Sequence, residues 1–281
     1  MAENTNPEAG TVAKEKDKAE DQDTMSGKAK KISGLLSILS FVLSLPILAS
    51  VIWLLYMKNY DCENLLRLPK LQLGIEITLI IVFLISNAAL FLRSRSPMPA
   101  LLVVMVPLIV MLIMGLALVG AYNMEDRKIP ASPMWFKLKV HDDNNWNNIK
   151  SCIYDTGACN DYVRRSLAVK SYDFNMRKLN LLEAGCCTPP KICQMEYVNA
   201  TFWSKANGAV DKSYPNDSDC DSWKNDRDIL CYDCQSCRDG FLKTLESKWW
   251  KLGLFLVLMA LFLIFSHLSL FIFTMWERYV A

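Results

Sequence analysis

The apolar residues of this chain are gathered into four blocks, each long enough to cross a bilayer as one helix. They occupy residues 32–57, 71–92, 98–122 and 252–275. A hydrocarbon core of about 30 Å takes roughly 20 apolar residues in a helix. No Lys, Arg or Asp falls inside any block, and the single acid is Glu76, near the start of the second. A helix with one wet face does not stay apolar over such a length. The pattern predicts an all-α membrane protein: a bundle of four transmembrane helices with a large outer loop.

The remaining segments follow from the blocks. A tail of residues 1–31 precedes the first span and residues 276–281 follow the last. A short loop (58–70), a tight turn (93–97) and a long loop (123–251) connect the spans. The tail is polar and charged with almost no aromatic or β-branched content, so it is expected to be a disordered cytosolic segment. The apolar run behind it is too long for a signal-peptide core.

Charge suggests sidedness. Lys28, Lys30 and Lys31 precede the first span, and Arg93 and Arg95 lie in the tight turn, which places both on the cytosolic side. The short loop also carries basic residues, and cysteine placement is the stronger guide. Cys62 lies in the short loop, and the other nine cysteines lie in the long one. Both loops share a face when four helices alternate, so this segregation fits an oxidising compartment. Two glycosylation sequons, at Asn199 and Asn216, fall in the same long loop. The termini are therefore expected in the cytosol, in a plasma membrane or endomembrane protein. Trp53, Tyr56, Tyr122, Trp249 and Trp250 then form an outer aromatic belt.

Within the first span, Ser33, Ser37, Ser40 and Ser44 recur at heptad spacing, which puts small side chains on one face. Gly34 widens that face, and the expected partner is the second span with Gly74, Ala88 and Ala89. Pro46 and Pro107 should disturb their helices. Glu76, Asn87 and His267 are the intramembrane polar groups and thus functional candidates. Glu76 is expected to reach headgroups or cap a local bond, and the other two to bond between helices or meet interfacial lipid. Three scattered groups do not line a transport path, which argues against a channel or transporter.

The long loop carries balanced charge, so it presents no one-sided field. Phe241, Leu242 and Leu245 share one face of a helix that should run from about Gly240 into the fourth span, and the third span should extend outward likewise. Between them the disulfide candidates are Cys152, Cys159, Cys186, Cys187, Cys193, Cys220, Cys231, Cys234 and Cys237, with Cys62 from the short loop. Adjacent Cys186 and Cys187 stand about 3.8 Å apart at their α-carbons, too close to pair with each other. They should take different, distant partners. Nine is odd, so either Cys62 bridges the two loops or one thiol stays free.

Two sharper motifs invite chemistry. Cys231, Cys234 and Cys237 have the spacing of a thiolate zinc site or a redox pair, but both need reduced thiols that an exported loop does not favour. Asp217, Asp219, Asp221 and Asp228 alternate like a calcium loop, yet Ser222 stands where glycine is needed and the twelfth ligand is Asp, not Glu. No metal site or cofactor is expected. With only two histidines, His141 and His267, a histidine-based centre is hard to build.

Four spans, a short then a long outer loop, and Gly185-Cys186-Cys187-Thr188-Pro189-Pro190 continuing to Cys193 resemble the tetraspanin family. The motif is similar to the plant-type form, which also has a cysteine in the short loop, here Cys62. The resemblance implies a non-enzymatic organiser that associates laterally with other integral membrane proteins, tetraspanins included, and with membrane lipid. It also implies roles in cell differentiation or vesicle traffic, while a formal net charge of only +2 gives no reason to expect a nucleic-acid partner. A receptor for an extracellular ligand is the alternative reading. No cysteine lies outside the two outer loops, so S-acylation is not expected.

Overall fold

The computed structural model describes residues 8–57, 62–92, 97–121, 129–168, 179–205 and 218–280. Four helices are long and apolar enough to cross a membrane: α1 (Glu8–Met57), α2 (Leu68–Leu92), α3 (Pro97–Val119) and α9 (Gln235–Val280). Shorter helices fill the long loop: α4 (Pro133–His141), α5 (Asp143–Asp155), α6 (Asn160–Ala168), α7 (Leu181–Cys186) and α8 (Ser218–Ser222). Single 3-10 turns lie at Cys62–Leu66 and Lys191–Cys193. Among the described residues, one hairpin interrupts the helical pattern. Its strands β1 (Met195–Asn199) and β2 (Phe202–Lys205) pair antiparallel, with Tyr197 opposite Trp203.

Several boundaries differ from the sequence reading. The segment expected to be a disordered tail is helical from Glu8 and runs unbroken into the first span. Its Ala, Lys and Glu residues are strong helix formers, and extending an existing helix needs no new nucleus. The second helix starts at Leu68, ahead of the apolar block. The third does not extend outward: Gly120 turns to φ 83°, a conformation that suits glycine, and its N–H reaches back to Ala117. The fourth begins at Gln235 rather than near Gly240.

Two compact units emerge. The first comprises α1 up to Leu55, Ile75–Ile113 and α9 from Leu256 onward. Ile47, Leu79, Leu108, Met111, Leu256 and Leu263 are fully buried there, while Leu35, Phe91, Leu102 and Phe265 are each at least 69% exposed. An outer face this apolar is unfavourable in water and suits hydrocarbon. The helices are joined by polar contacts. The Asn87 amide donates to Ser44 Oγ (3.2 Å) and to the Phe83 carbonyl (2.7 Å), linking α1 to α2. Ser86 Oγ lies 2.8 Å from His267 Nε2, linking α2 to α9. Ser33, Ser40 and Ser44 are buried, and Ser37 donates back to the Ser33 carbonyl. Glu76, expected to reach headgroups or cap a local bond, is buried at 3% exposure. Both α1 and α3 continue through their prolines.

The second unit comprises Tyr56–Gly74 and Met114–Phe255. Phe136, Ile149, Ile153, Tyr162 and Leu245 are almost fully buried, with Trp146 against Phe241 and Phe136 against Trp249. Gly74 does not provide the close helix contact expected of it, because a Cβ there would meet open space; the same holds for Gly34 in the first unit. The close approach between spans is made instead at Gly253, where a Cβ would come within 2.8 Å of Leu118 Cβ and 3.0 Å of the Gly115 carbonyl.

Candidate functional site

The second unit holds all ten cysteines, and every one is paired. The bridges are Cys62–Cys152, Cys159–Cys187, Cys186–Cys237, Cys193–Cys220 and Cys231–Cys234. Adjacent Cys186 and Cys187 thus reach in different directions, to α9 and to the start of α6. Three segments of the long loop are fastened at one dipeptide. Cys62 takes Cys152, which ties the short loop to α5. Beside it, Lys248 Nζ donates to both Glu63 carboxylate oxygens at 2.8 and 3.0 Å. The run that resembled a zinc or redox motif is divided between two bridges, Cys231–Cys234 and Cys186–Cys237.

Gly185 explains why a glycine stands before the paired cysteines. There α7 crosses α9 backbone to backbone. A Cβ on Gly185 would collide with the Ser236 carbonyl, and one on Gly240 would come within 2.6 Å of the Leu181 carbonyl. Only two facing glycines allow this approach. The Ser236 hydroxyl then donates to the Gly185 carbonyl at 3.1 Å.

Local capping holds the short helices in place. Ser132 caps α4 and Asp142 caps α5. Asn180 and Glu183 form a reciprocal capping box at α7, and Glu183, almost fully buried, also receives Arg165 at 2.6 Å. Asp219, from the alternating acidic run, is occupied at the start of α9. Its two carboxylate oxygens accept from the N–H groups of Gln235 (2.6 Å) and Ser236 (2.8 Å). That arrangement removes it from a calcium loop.

The sequence reading missed the capping box, although its Asn-x-x-Glu spacing is a local signal, and it missed the packing role of Gly240, Glu63 with Lys248, and the role of Asp219. The last three act through partners far along the chain, and no local pattern announces them. Of the two sequons, Asn199 ends β1 as an exposed residue, its Oδ1 accepting from the Thr201 N–H at 3.0 Å. Asn216 lies outside the described residues. A groove of about 530 Å³ opens beside the motif, lined among others by Pro189, Pro190, Met195, Trp203 and Lys243.

Four membrane-length helices and a cysteine-stapled head built around a Gly-Cys-Cys corner define a multi-pass membrane protein with one specialised loop. Residues 29–276 match the model of the tetraspanin family, and the chain belongs to that family. It is 48% identical to Tetraspanin-15 of Arabidopsis thaliana over 88% of this chain and 81% of that protein. It is 36% identical to Tetraspanin-3 of the same plant over 78% and 80% of the two chains. Protein TORNADO 2, also from Arabidopsis thaliana, is 27% identical over 85% and 90%. No solved structure matches the chain.

Proposed function

We propose that this tetraspanin is a non-enzymatic organiser that gathers specific integral membrane proteins, other tetraspanins among them. Its spans meet partners and lipid laterally, and its head presents a fixed binding shape on the non-cytosolic side, with both termini in the cytosol. Regulation of cell differentiation or vesicle traffic is the setting this reading favours. The observation that carries it is the fastening of three loop segments at Cys186, Cys187 and Gly185. So many covalent constraints on a small head hold a shape.

The test is chemical crosslinking in native membranes, followed by purification in mild detergent. Cys186→Ser with Cys237→Ser should release the partners that depend on the head and keep those held by the spans. If every partner survives that change, the head is not a binding surface.

The same reading makes Asn199 a glycan acceptor, because it is exposed at a hairpin turn where an enzyme can reach it. Endoglycosidase treatment should increase gel mobility, and Asn199→Gln should remove part or all of that shift. Any remainder should vanish with Asn216→Gln. An unchanged shift in Asn199→Gln sinks the assignment.

A further inference from the structure

The Cys231–Cys234 bridge closes a sequence separation of only 3, whereas the other four close 27 to 90. Such a short loop removes little freedom from the unfolded chain, so general stability is a poor reason for it. What it does is fix the turn carrying Tyr232 and Asp233. That turn forms one wall of a recess of about 280 Å³, and α5 supplies the facing wall with Lys150, Tyr154 and Asp155. Asp228 closes the third side.

The lining has one chemical character. The Tyr154 and Tyr232 rings stand nearly perpendicular, centroids 5.6 Å apart, and form an aromatic corner. Three carboxylates surround it, and among the described residues Asp233 alone has an ion-pair partner, Lys150. The Arg227 guanidinium donates to the Asn160 side chain at 2.9 Å, and its charge partly offsets the rise of the Tyr232 phenol. Among the described residues neither Asp155 nor Asp228 has an ion-pair partner. Burial pushes the Tyr232 phenol above its ordinary value, and the Asp228 carboxylate adds to the rise. An aromatic corner with unneutralised carboxylates recognises an organic cation, through ring faces and charge together.

We propose that this recess takes the ammonium or guanidinium group of a basic side chain presented by a partner protein. The recess is open on one side, where Tyr154 and Ile229 are each 46% exposed, so the rest of a peptide can lie along an apolar lip. This rests on the head being a partner surface, and it names the chemistry that the surface reads. The short disulfide is then a shaping device for the site.

The test uses the purified full-length chain in detergent and a blocked peptide with one lysine among glycines, so it does not depend on recovering any native partner. Saturable binding is expected, weakened by salt and absent for the same peptide with norleucine. Tyr154→Ala should weaken it about fivefold, the loss expected for one ring face. Asp228→Asn should also weaken it; this exposed, isosteric change carries the test if Tyr154→Ala disturbs the fold. Lys150→Ala, which removes the internal competitor, should tighten binding. No binding, equal binding of the norleucine peptide, or indifference to Asp228→Asn overturns the proposal. Spermidine that binds while the peptide does not overturns the assignment to a partner side chain.

Discussion

Gly185→Ala is expected to unfasten the head, at a cost of about 3 kcal/mol in its stability. The added methyl meets the Ser236 carbonyl, which belongs to the backbone of α9 and cannot rotate away. Relief would require α7 and α9 to separate. That movement would pull on the Cys186–Cys237 bridge and break the Ser236 to Gly185 hydrogen bond. Gly240→Ala should do the same from the other side, because its methyl meets the Leu181 carbonyl. The control is Gly74→Ala, where the methyl enters open space and alanine favours the helix by up to about 1 kcal/mol. Alkylation after exposure to a limiting dithiol reductant, which supplies the two electrons each bridge needs to open, reads all three. Gly185→Ala and Gly240→Ala should expose titratable thiols at a temperature where the parent and Gly74→Ala show none. A Gly185→Ala protein as resistant as the parent would remove the packing account of the motif.

Legibility in the sequence followed the range of the interaction. The four spans were readable because apolar length is a property of consecutive residues, and their ends were off by a few positions because capping decides them. Gly120 ended α3 early, and Gln235 and Ser236 could start α9 because Asp219 accepts from both their N–H groups. The partners of Cys186 and Cys187 were not readable, since nothing in the neighbourhood of Cys159 or Cys237 marks them. Gly74 shows the converse. A glycine in a span suggested close packing, but a Cβ there would meet open space, and the close approach falls at Gly253. Asn87 and His267 were found by polarity alone, while Ser86, the partner of His267, looked like any small residue.

The junction between the short loop and the head should be the second most sensitive place. Cys62–Cys152 spans a sequence separation of 90, for which chain entropy gives about 4.6 kcal/mol. That figure is a ceiling, because the spans already tether both loops when the head is unfolded. Removing both cysteines as serine should still cost more than removing Cys231 and Cys234, whose short loop gives only about 2 kcal/mol on the same scale. Glu63→Gln acts at the adjacent residue. It leaves the Lys248 ammonium, whose side chain is 18% exposed, without its carboxylate. Stranding a largely buried charge costs about 2 kcal/mol or more, whereas an exposed pair would cost a fraction of that. Because Cys62 and Glu63 hold the same 3-10 turn, their losses should not add. Once the bridge is gone the turn can move, and Lys248 regains water. Thermal unfolding of the parent, Cys62→Ser with Cys152→Ser, Glu63→Gln and the combined variant gives the cycle directly. Additive losses would mean that the bridge and the ion pair fasten the short loop independently.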